Sequence, residues 1–202
     1  MNRSDSSPPW GSHPVDASIT VAMLSDSCDR AGLRSQVLET RLAPLVPLSR
    51  VSGRARTAQF VPDSDVDPER PYDDAIDFID STSPGELICI ATDDSNASAF
   101  WGELFSAAAR GRKAVGMLTD GNIRDSDKIE ALGFSVFARG RRRVVFRGRV
   151  RRASHQSAVV IGGVEICPGD LVAADDDGVV VLPQAHESEI IALARERASG
   201  ES

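Results

Sequence analysis

The segment LICIATDDSNASAFWGELFSAAARGRKAVGMLTDGNIRDSDKIEALGFSVFA, residues 87–138, decides the fold. It opens on Leu87-Ile88-Cys89-Ile90-Ala91, a continuous apolar run of the kind a strand carries when both its faces are covered. Ala97 to Arg110 then has helical apolar spacing through Phe100, Leu104, Phe105 and Ala108, with Gly111 as its stop. Ala114 to Thr119 reads as a second buried strand, and Asp120-Gly121 is expected to turn the chain at its carboxyl end. A short helix, Ser126 to Leu132, stops at Gly133, and Phe134 to Ala138 returns as a strand. Strand–helix–strand–helix–strand is the pattern of parallel pairing with crossover helices.

On the N-terminal side, residues 1–15 are rich in Ser and Pro without an apolar period and read as a mobile leader. Ala17 to Arg30 predicts a helix closed by Gly32, and Ser49 to Phe60 a strand with a glycine bend. An acidic loop over Pro62 to Pro71 leads to a short helix, Tyr72 to Ile79. Beyond Gly140, short strands are expected at Val144–Val150, Ala158–Ile161, Val164–Cys167, Leu171–Ala174 and Val179–Leu182. Gly162-Gly163 and Asp177-Gly178 favour hairpins between them, and Gln184 to Arg197 closes the chain as a helix. The expectation is an α/β fold: one domain over residues 16–202, with a parallel strand–helix core and an antiparallel second sheet.

Composition narrows the function classes. The chain has 202 residues, 41% hydrophobic and 26% charged, as an ordinary globular protein does. A net charge of -7 argues against nucleic acid, whose binding relies on cationic neutralisation of phosphates. No apolar run approaches the roughly 20 residues that span a bilayer, so no membrane partner is expected. The first residues lack the apolar centre of a signal peptide. Cys28, Cys89 and Cys167 show no CxxC spacing, which suggests neither zinc nor a disulfide framework and fits a reducing, cytoplasmic location.

Ligands of open α/β sheets collect at the carboxyl ends of strands, which directs attention to Asp120-Gly121-Asn122-Ile123-Arg124-Asp125. Arg124 offers a planar fork for a carboxylate or keto oxygen. Asp125 offers the hard oxygen ligation that suits Mg²⁺ or Mn²⁺, and helix N-terminal amides reinforce anion binding. The same pair also fits a plain role, with Asp125 capping the 126–132 helix and Arg124 paired to it on the surface. Trp101-Gly102-Glu103-Leu104 lies upstream, with twenty residues between Glu103 and Arg124. If Gly102 starts the helix proper, its amides and Glu103 point from the same end of the sheet as Arg124-Asp125; a solvated Glu103 is the alternative.

The chain resembles the family of ribonuclease-activity regulator A-like proteins and 4-hydroxy-4-methyl-2-oxoglutarate/4-carboxy-4-hydroxy-2-oxoadipate aldolases. The resemblance runs from Ser25-Asp26 to Ile191. It rests on Ser52-Gly53-Arg54-Ala55-Arg56-Thr57, Trp101-Gly102-Glu103-Leu104, the stretch from Gly116 to Asp125, and the stretch from Gly133 to Gly140. Gly162-Gly163-Val164, Pro168-Gly169-Asp170-Leu171-Val172 and the stretch from Asp175 to Pro183 complete it. An acidic residue followed twenty residues later by Arg-Asp is the family's active-site pattern.

The resemblance implies a layered swivelling β/β/α-type domain and a carbon–carbon lyase. That lyase would be a class II pyruvate aldolase, an oxaloacetate decarboxylase, or both, working on a small 2-oxo acid through a metal-stabilised enolate. By the same analogy Asp125 ligates a divalent metal, magnesium or manganese, and Glu103 holds a metal-bound water. Arg124 binds substrate oxygens, and amides of Gly102, Glu103, Leu104 and Phe105 cradle the pyruvyl carboxylate. Family members are homotrimers or hexamers with sites at subunit interfaces. A second function also follows from the resemblance: a non-catalytic protein that binds and regulates a ribonuclease or another protein partner.

Two features depart from the family pattern. Its aldolases carry an acid near the end of the last helix that reaches a neighbouring subunit; here that helix ends Ala194-Arg195-Glu196-Arg197-Ala198-Ser199, with Glu196 and Glu201 as substitutes. Residues 139–152 hold eight arginines, with Arg147, Arg149 and Arg151 expected on one strand face. A solvated strand balancing the acidic remainder, wider recognition of a polyanionic substrate, and a nucleic-acid contact are the readings of that run, the last weakened because Phe146 is its one aromatic residue. His155 and His186 read as surface or core residues, and Asp175-Asp176-Asp177 as a hairpin turn.

Overall fold

Every second residue of the apolar run around Cys89 faces the same side, as the pleat of a strand requires. In the computed structural model, which describes residues 15–200, Leu87, Cys89 and Ala91 enter one hydrophobic cluster and Ile88 and Ile90 another. That run is β3 in a chain ordered α1 (Val21–Arg30), β1 (Ala43–Pro44), β2 (Val51–Pro62), α2 (Asp73–Asp80), β3 (Glu86–Ala91), β4 (Ala99–Trp101), α3 (Glu103–Gly111), β5 (Gly116–Ile123) and α4 (Ser126–Leu132). There follow β6 (Ser135–Arg141), β7 (Val150–His155), β8 (Val159–Ile161), β9 (Val164–Ile166), β10 (Leu171–Asp175), β11 (Gly178–Leu182) and α5 (Glu187–Gly200). The leader expected over 1–15 lies outside the described residues, apart from Val15.

A nine-stranded mixed sheet runs β1-β6-β5-β3-β2-β10-β11, with β4 on β5 and β7 on β2. β3, β5 and β6 are parallel neighbours, as the pattern of residues 87–138 predicts, and β2 joins them in parallel beside β3. The long β2 switches partner along its length: its first half pairs antiparallel with β10 and its second half with β7. Among the described residues only β8 and β9 form the separate antiparallel sheet, joined through Gly162 and Gly163, both at positive φ.

Three apolar clusters fill the layers. One side of the parallel strands carries Phe60, Phe78, Trp101 and Ile129 under α2, α3 and α4. The other side, with Leu118, Phe137, Ile161 and Ile166, is covered by the β8–β9 sheet. Leu171 and Ala173 of β10 turn the opposite way from Val172 and Ala174 and pack under α1 and α5 with Leu24, Cys28 and Ile190. Each fully buried Leu or Ile of this kind contributes about 1.5–3 kcal/mol.

Several boundaries differ from expectation, each for a local reason. α1 starts at Val21, not Ala17, because Thr20 accepts from Met23 N at 3.2 Å and Asp175 accepts from Val21 N at 3.0 Å. Asp175 also accepts from Asp177 N, so the acidic triplet forms the expected β10–β11 hairpin turn while capping a helix. The helix expected from Ala97 begins only at Glu103, since residues 99–101 pair with β5. The turn expected at Asp120-Gly121 is absent, and β5 continues buried to Ile123. Gly121 serves close packing there: a Cβ would stand 2.9 Å from Thr92 Oγ1. The strand expected over Val144–Val150 is a loop, and β7 begins where that strand was to end, so Arg147, Arg149 and Arg151 share no strand face. Among the described residues no helix is long and apolar enough to cross a membrane.

Candidate active site

The twenty-residue spacing between Glu103 and Arg124 has a simple structural origin. β4 lies parallel to the end of β5 with Trp101 beside Ile123, and Arg124 N donates to Trp101 O at 3.0 Å. The residues that follow each strand, Gly102-Glu103 and Arg124-Asp125, therefore emerge side by side. Both pairs line one cavity of about 300 Å³.

Gly102 is the N-cap residue of α3 and has no side chain to cap it, so the first amides of that helix receive no side-chain acceptor. Asp125 is the N-cap residue of α4 in position only. Its backbone is left-handed (φ 56, ψ 39) and its carboxylate makes no capping bond. The carboxylate instead lies 3.4 Å from Arg124 Nε, with both side chains about two-fifths exposed (40% and 37%). A left-handed Asp is uncommon because its Cβ crowds the backbone, and such strain is concentrated at functional positions. Glu103 lines the same cavity while its Oε2 accepts from Lys128 Nζ at 2.9 Å, a bond that raises the Lys128 ammonium above its ordinary value.

The wall beyond these polar groups is apolar. Phe100, Phe105 and Phe146 stack or tilt against one another, with Phe100 and Phe146 centroids 4.6 Å apart, and Tyr72 meets Phe146 edge-on at 5.3 Å. Phe146 comes from the arginine-rich loop, and burial in this cluster leaves it unavailable for stacking on a base. The sequence does not single out Tyr72, and it marks Phe146 only as the one aromatic residue of the arginine run. The isolated bridge between Ala99 and Val145, with Ala99 N donating to Val144 O at 2.6 Å, folds that loop across the cavity.

Asp120, at the head of the signature stretch, is structural. Its carboxylate accepts from Thr92 N (2.7 Å), Thr92 Oγ1 (2.8 Å) and Asp94 N (3.2 Å). Burial pushes this carboxyl up from its usual range, against the pull of those three donors. Glu196 pairs with Arg30 across α5 and α1 at 3.5 Å and lines neither cavity at Arg124; Glu201 lies outside the described residues. His186 sits 3.8 Å from Glu189, and neither it nor His155 lines these cavities.

The residues at this point suit a hard divalent cation. Among the described residues no three His, Cys, Asp or Glu side chains gather to hold a metal by themselves. Magnesium and manganese are commonly held by one or two carboxylates, with water and substrate completing the shell. Asp125 supplies one uncapped carboxylate, and the absence of a side chain at Gly102 keeps the space before it open: a Cβ there would stand 2.9 Å from Asp125 Oδ2.

In this α/β fold two paired strand ends thus bring Glu103, Arg124 and Asp125 to one cavity at the start of α3. The chain belongs to the RraA-like family, whose model, described as Aldolase/RraA, matches residues 21–181. It is 28% identical over 179 residues to a Halalkalibacterium halodurans protein provisionally named a 4-hydroxy-4-methyl-2-oxoglutarate aldolase, covering 89% of this chain and 80% of that one. It is 29% identical to DlpA of Legionella pneumophila over 170 residues, 84% of this chain but only 27% of that longer protein. Among solved structures, Streptomyces coelicolor RraAS2, described as an unusual member of the RNase ES inhibitor RraA family, superposes with a TM-score of 0.80 at 26% identity, covering 91% of this chain and 89% of that one. The family thus contains proteins named as aldolases and proteins named as ribonuclease inhibitors.

Proposed function

We propose that this protein is a divalent-metal-dependent carbon–carbon lyase. It cleaves a small 2-oxo acid as an aldolase of the 4-hydroxy-4-methyl-2-oxoglutarate type, decarboxylates oxaloacetate, or does both. The observation that carries the reading is Asp125, which occupies a helix-cap position in a left-handed conformation and yet leaves its carboxylate uncapped, facing Gly102. A structural cap would spend those oxygens on helix amides.

In this reading Asp125, with Glu103 alongside, would hold Mg²⁺ or Mn²⁺, which would supply Lewis-acid polarisation of the 2-oxo group. The chain's own groups do the rest. Amides of Gly102, Glu103, Leu104 and Phe105 receive the carboxylate of the 2-oxo acid, favoured by the N-terminal end of α3. Arg124 donates to the oxygen on which negative charge develops as the carbon–carbon bond breaks. Glu103 holds the water that takes the proton from the substrate's hydroxyl group as the carbon–carbon bond breaks and the distal fragment leaves as a carbonyl compound. The aromatic wall of Phe100, Phe105 and Phe146 lowers the local dielectric and strengthens these interactions.

A homotrimer or a pair of trimers belongs to the same reading. Leu104 and Ile76, 78% and 46% exposed at the cavity, support an apolar subunit contact beside the site. Light scattering after size-exclusion chromatography reads that state directly.

The deciding assay is pyruvate release from oxaloacetate and from 4-hydroxy-4-methyl-2-oxoglutarate, with Mg²⁺ or Mn²⁺ and with chelator, for wild type and Asp125→Ala. Release that needs metal and is lost in the variant is expected. Equal rates with and without metal, or full activity of the variant, would sink the lyase reading. The name of the Streptomyces relative, and the engagement of Glu196 with Arg30, favour a second reading as a non-catalytic ribonuclease-binding regulator. A stable complex with a ribonuclease at micromolar concentration, unchanged by Asp125→Ala, supports that alternative.

A further inference from the structure

We infer that Arg141, Arg142 and Arg143 form with Arg124 a subsite for a second anionic group, a carboxylate or a phosphoryl group at the far end of the substrate. The inference rests on the lyase reading for where the substrate's other end lies.

Parallel pairing of β5 and β6 sets Ile123 beside Arg141, and Arg142 N donates to Ile123 O at 2.9 Å. The arginine triplet therefore leaves the sheet where Arg124-Asp125 does. Together they line a second cavity of about 380 Å³ that shares Arg124 and Asp125 with the first. Four arginines and a single carboxylate residue, Asp125, line it.

Three other arginines of the run behave differently, while Arg147 and Arg149 lack an acid partner too among the described residues but do not line this cavity. Arg139 pairs with Asp94 at 3.0 Å, Arg151 with Asp63 at 2.9 Å and Arg152 with Asp74 at 3.5 Å. Those pairs are the charge balance expected of a run in an acidic protein. Arg141 and Arg143 have no carboxylate within ion-pair distance among the described residues. Arg142 Nε donates to Asn96 O at 2.8 Å, which orients its guanidinium without neutralising it. In a chain of net charge -7, three arginines without a carboxylate partner among the described residues thus lie together beside the candidate site.

Like charges held together raise the local potential, and a bound anion relieves the repulsion. Guanidinium forks suit both carboxylate and phosphoryl oxygens. The first cavity offers the opposite environment, an apolar wall that disfavours charge. A 2-oxo acid whose head lies at Arg124-Asp125 would therefore send a charged tail toward 141–143 and an apolar tail toward the aromatic wall.

The test is calorimetric binding, with Mg²⁺ present, of 2-oxobutyrate, 2-oxoglutarate, 2-oxo-4-phosphonobutyrate and inorganic phosphate. The proteins are wild type, Arg141→Ala/Arg143→Ala, and Arg147→Ala, whose residue does not line the pocket. Wild type is expected to bind the acids with a charged tail at least about tenfold tighter than 2-oxobutyrate, an advantage that fades with added salt. The double variant is expected to lose that advantage while keeping its affinity for 2-oxobutyrate, and Arg147→Ala to behave as wild type. Whichever charged tail binds tighter identifies the group the subsite takes. Equal affinity for charged and apolar tails in wild type, or equal losses for both in the double variant, would overturn the subsite alone. If no 2-oxo acid binds, the lyase reading falls, and the subsite is judged on inorganic phosphate. Saturable phosphate binding that the double variant loses upholds it, and any other result overturns it.

Discussion

Gly102 and Asp125 face each other so closely that a methyl group on residue 102 would stand 2.9 Å from Asp125 Oδ2 and 3.3 Å from Arg124 Cγ. The backbone at Gly102 is extended (φ -160), so no conformational need calls for glycine there. What the glycine keeps is room in front of the carboxylate.

Gly102→Ala is therefore expected to separate function from stability. The closest clash falls on the end of the part-exposed Asp125 side chain, which can move, so unfolding free energy should change by less than about 1 kcal/mol. The displaced carboxylate should lower metal-dependent pyruvate release at least about tenfold. Urea unfolding and the pyruvate assay on the same preparation check both halves. A variant that is fully active, or one that loses activity only because it unfolds, contradicts the expectation.

Glu103 and Lys128 form an exposed pair, and such pairs add little to stability. Glu103→Gln and Lys128→Gln should both leave the melting temperature nearly unchanged. If Glu103 belongs to the site, the first substitution lowers turnover strongly and the second only slightly. Parallel effects of the two on turnover would return Glu103 to the role of a surface partner.

Asp120→Ala should behave in the reverse way, through the fold. It leaves the amides of residues 92 and 94 and the Thr92 hydroxyl without an acceptor, a loss of roughly 3 kcal/mol or more. Asp120→Asn preserves the two bonds at Oδ1 and should lose about half as much. Chemical denaturation curves of the three proteins give the comparison, and equal stability of wild type and Asp120→Ala would refute the structural assignment.

Burial, helped by the charge of Asp29, pushes the Cys28 thiol up to about 11 from an ordinary value of 9.0. The folded value lies above the unfolded one, so the stabilising difference is fully present below pH 9 and is lost as pH rises through about 11. Over that window wild type should lose stability relative to Cys28→Ala by about 1.4 kcal/mol per pH unit. Urea titrations at intervals across the window test this; a constant difference between the two proteins would be inconsistent with a buried neutral thiol.

Local chemistry was enough to read much of this protein. The apolar run at Leu87 and the alternation along residues 171–182 identify strands because pleat and burial act on neighbouring residues. Gly133 marks the end of α4 because a left-handed residue (φ 64) closes it there. The presence of Gly102, Glu103, Arg124 and Asp125 in one motif set was likewise legible as a family pattern. What the sequence could not decide was pairing between distant segments. Residues 99–101 have helical apolar spacing, yet a parallel neighbour at the end of β5 makes them a strand, and that pairing is what puts Gly102 beside Asp125. Asp120-Gly121 resembles a turn, yet lies buried mid-strand because Thr92 and Asp94 supply donors from another loop. The arginine run has a uniform composition, and only the tertiary structure sets Arg139, Arg151 and Arg152 against acids and Arg141, Arg142 and Arg143 at a cavity. Propensity and periodicity act over a few residues; the charge environment of a side chain depends on what folding brings within a few ångströms of it.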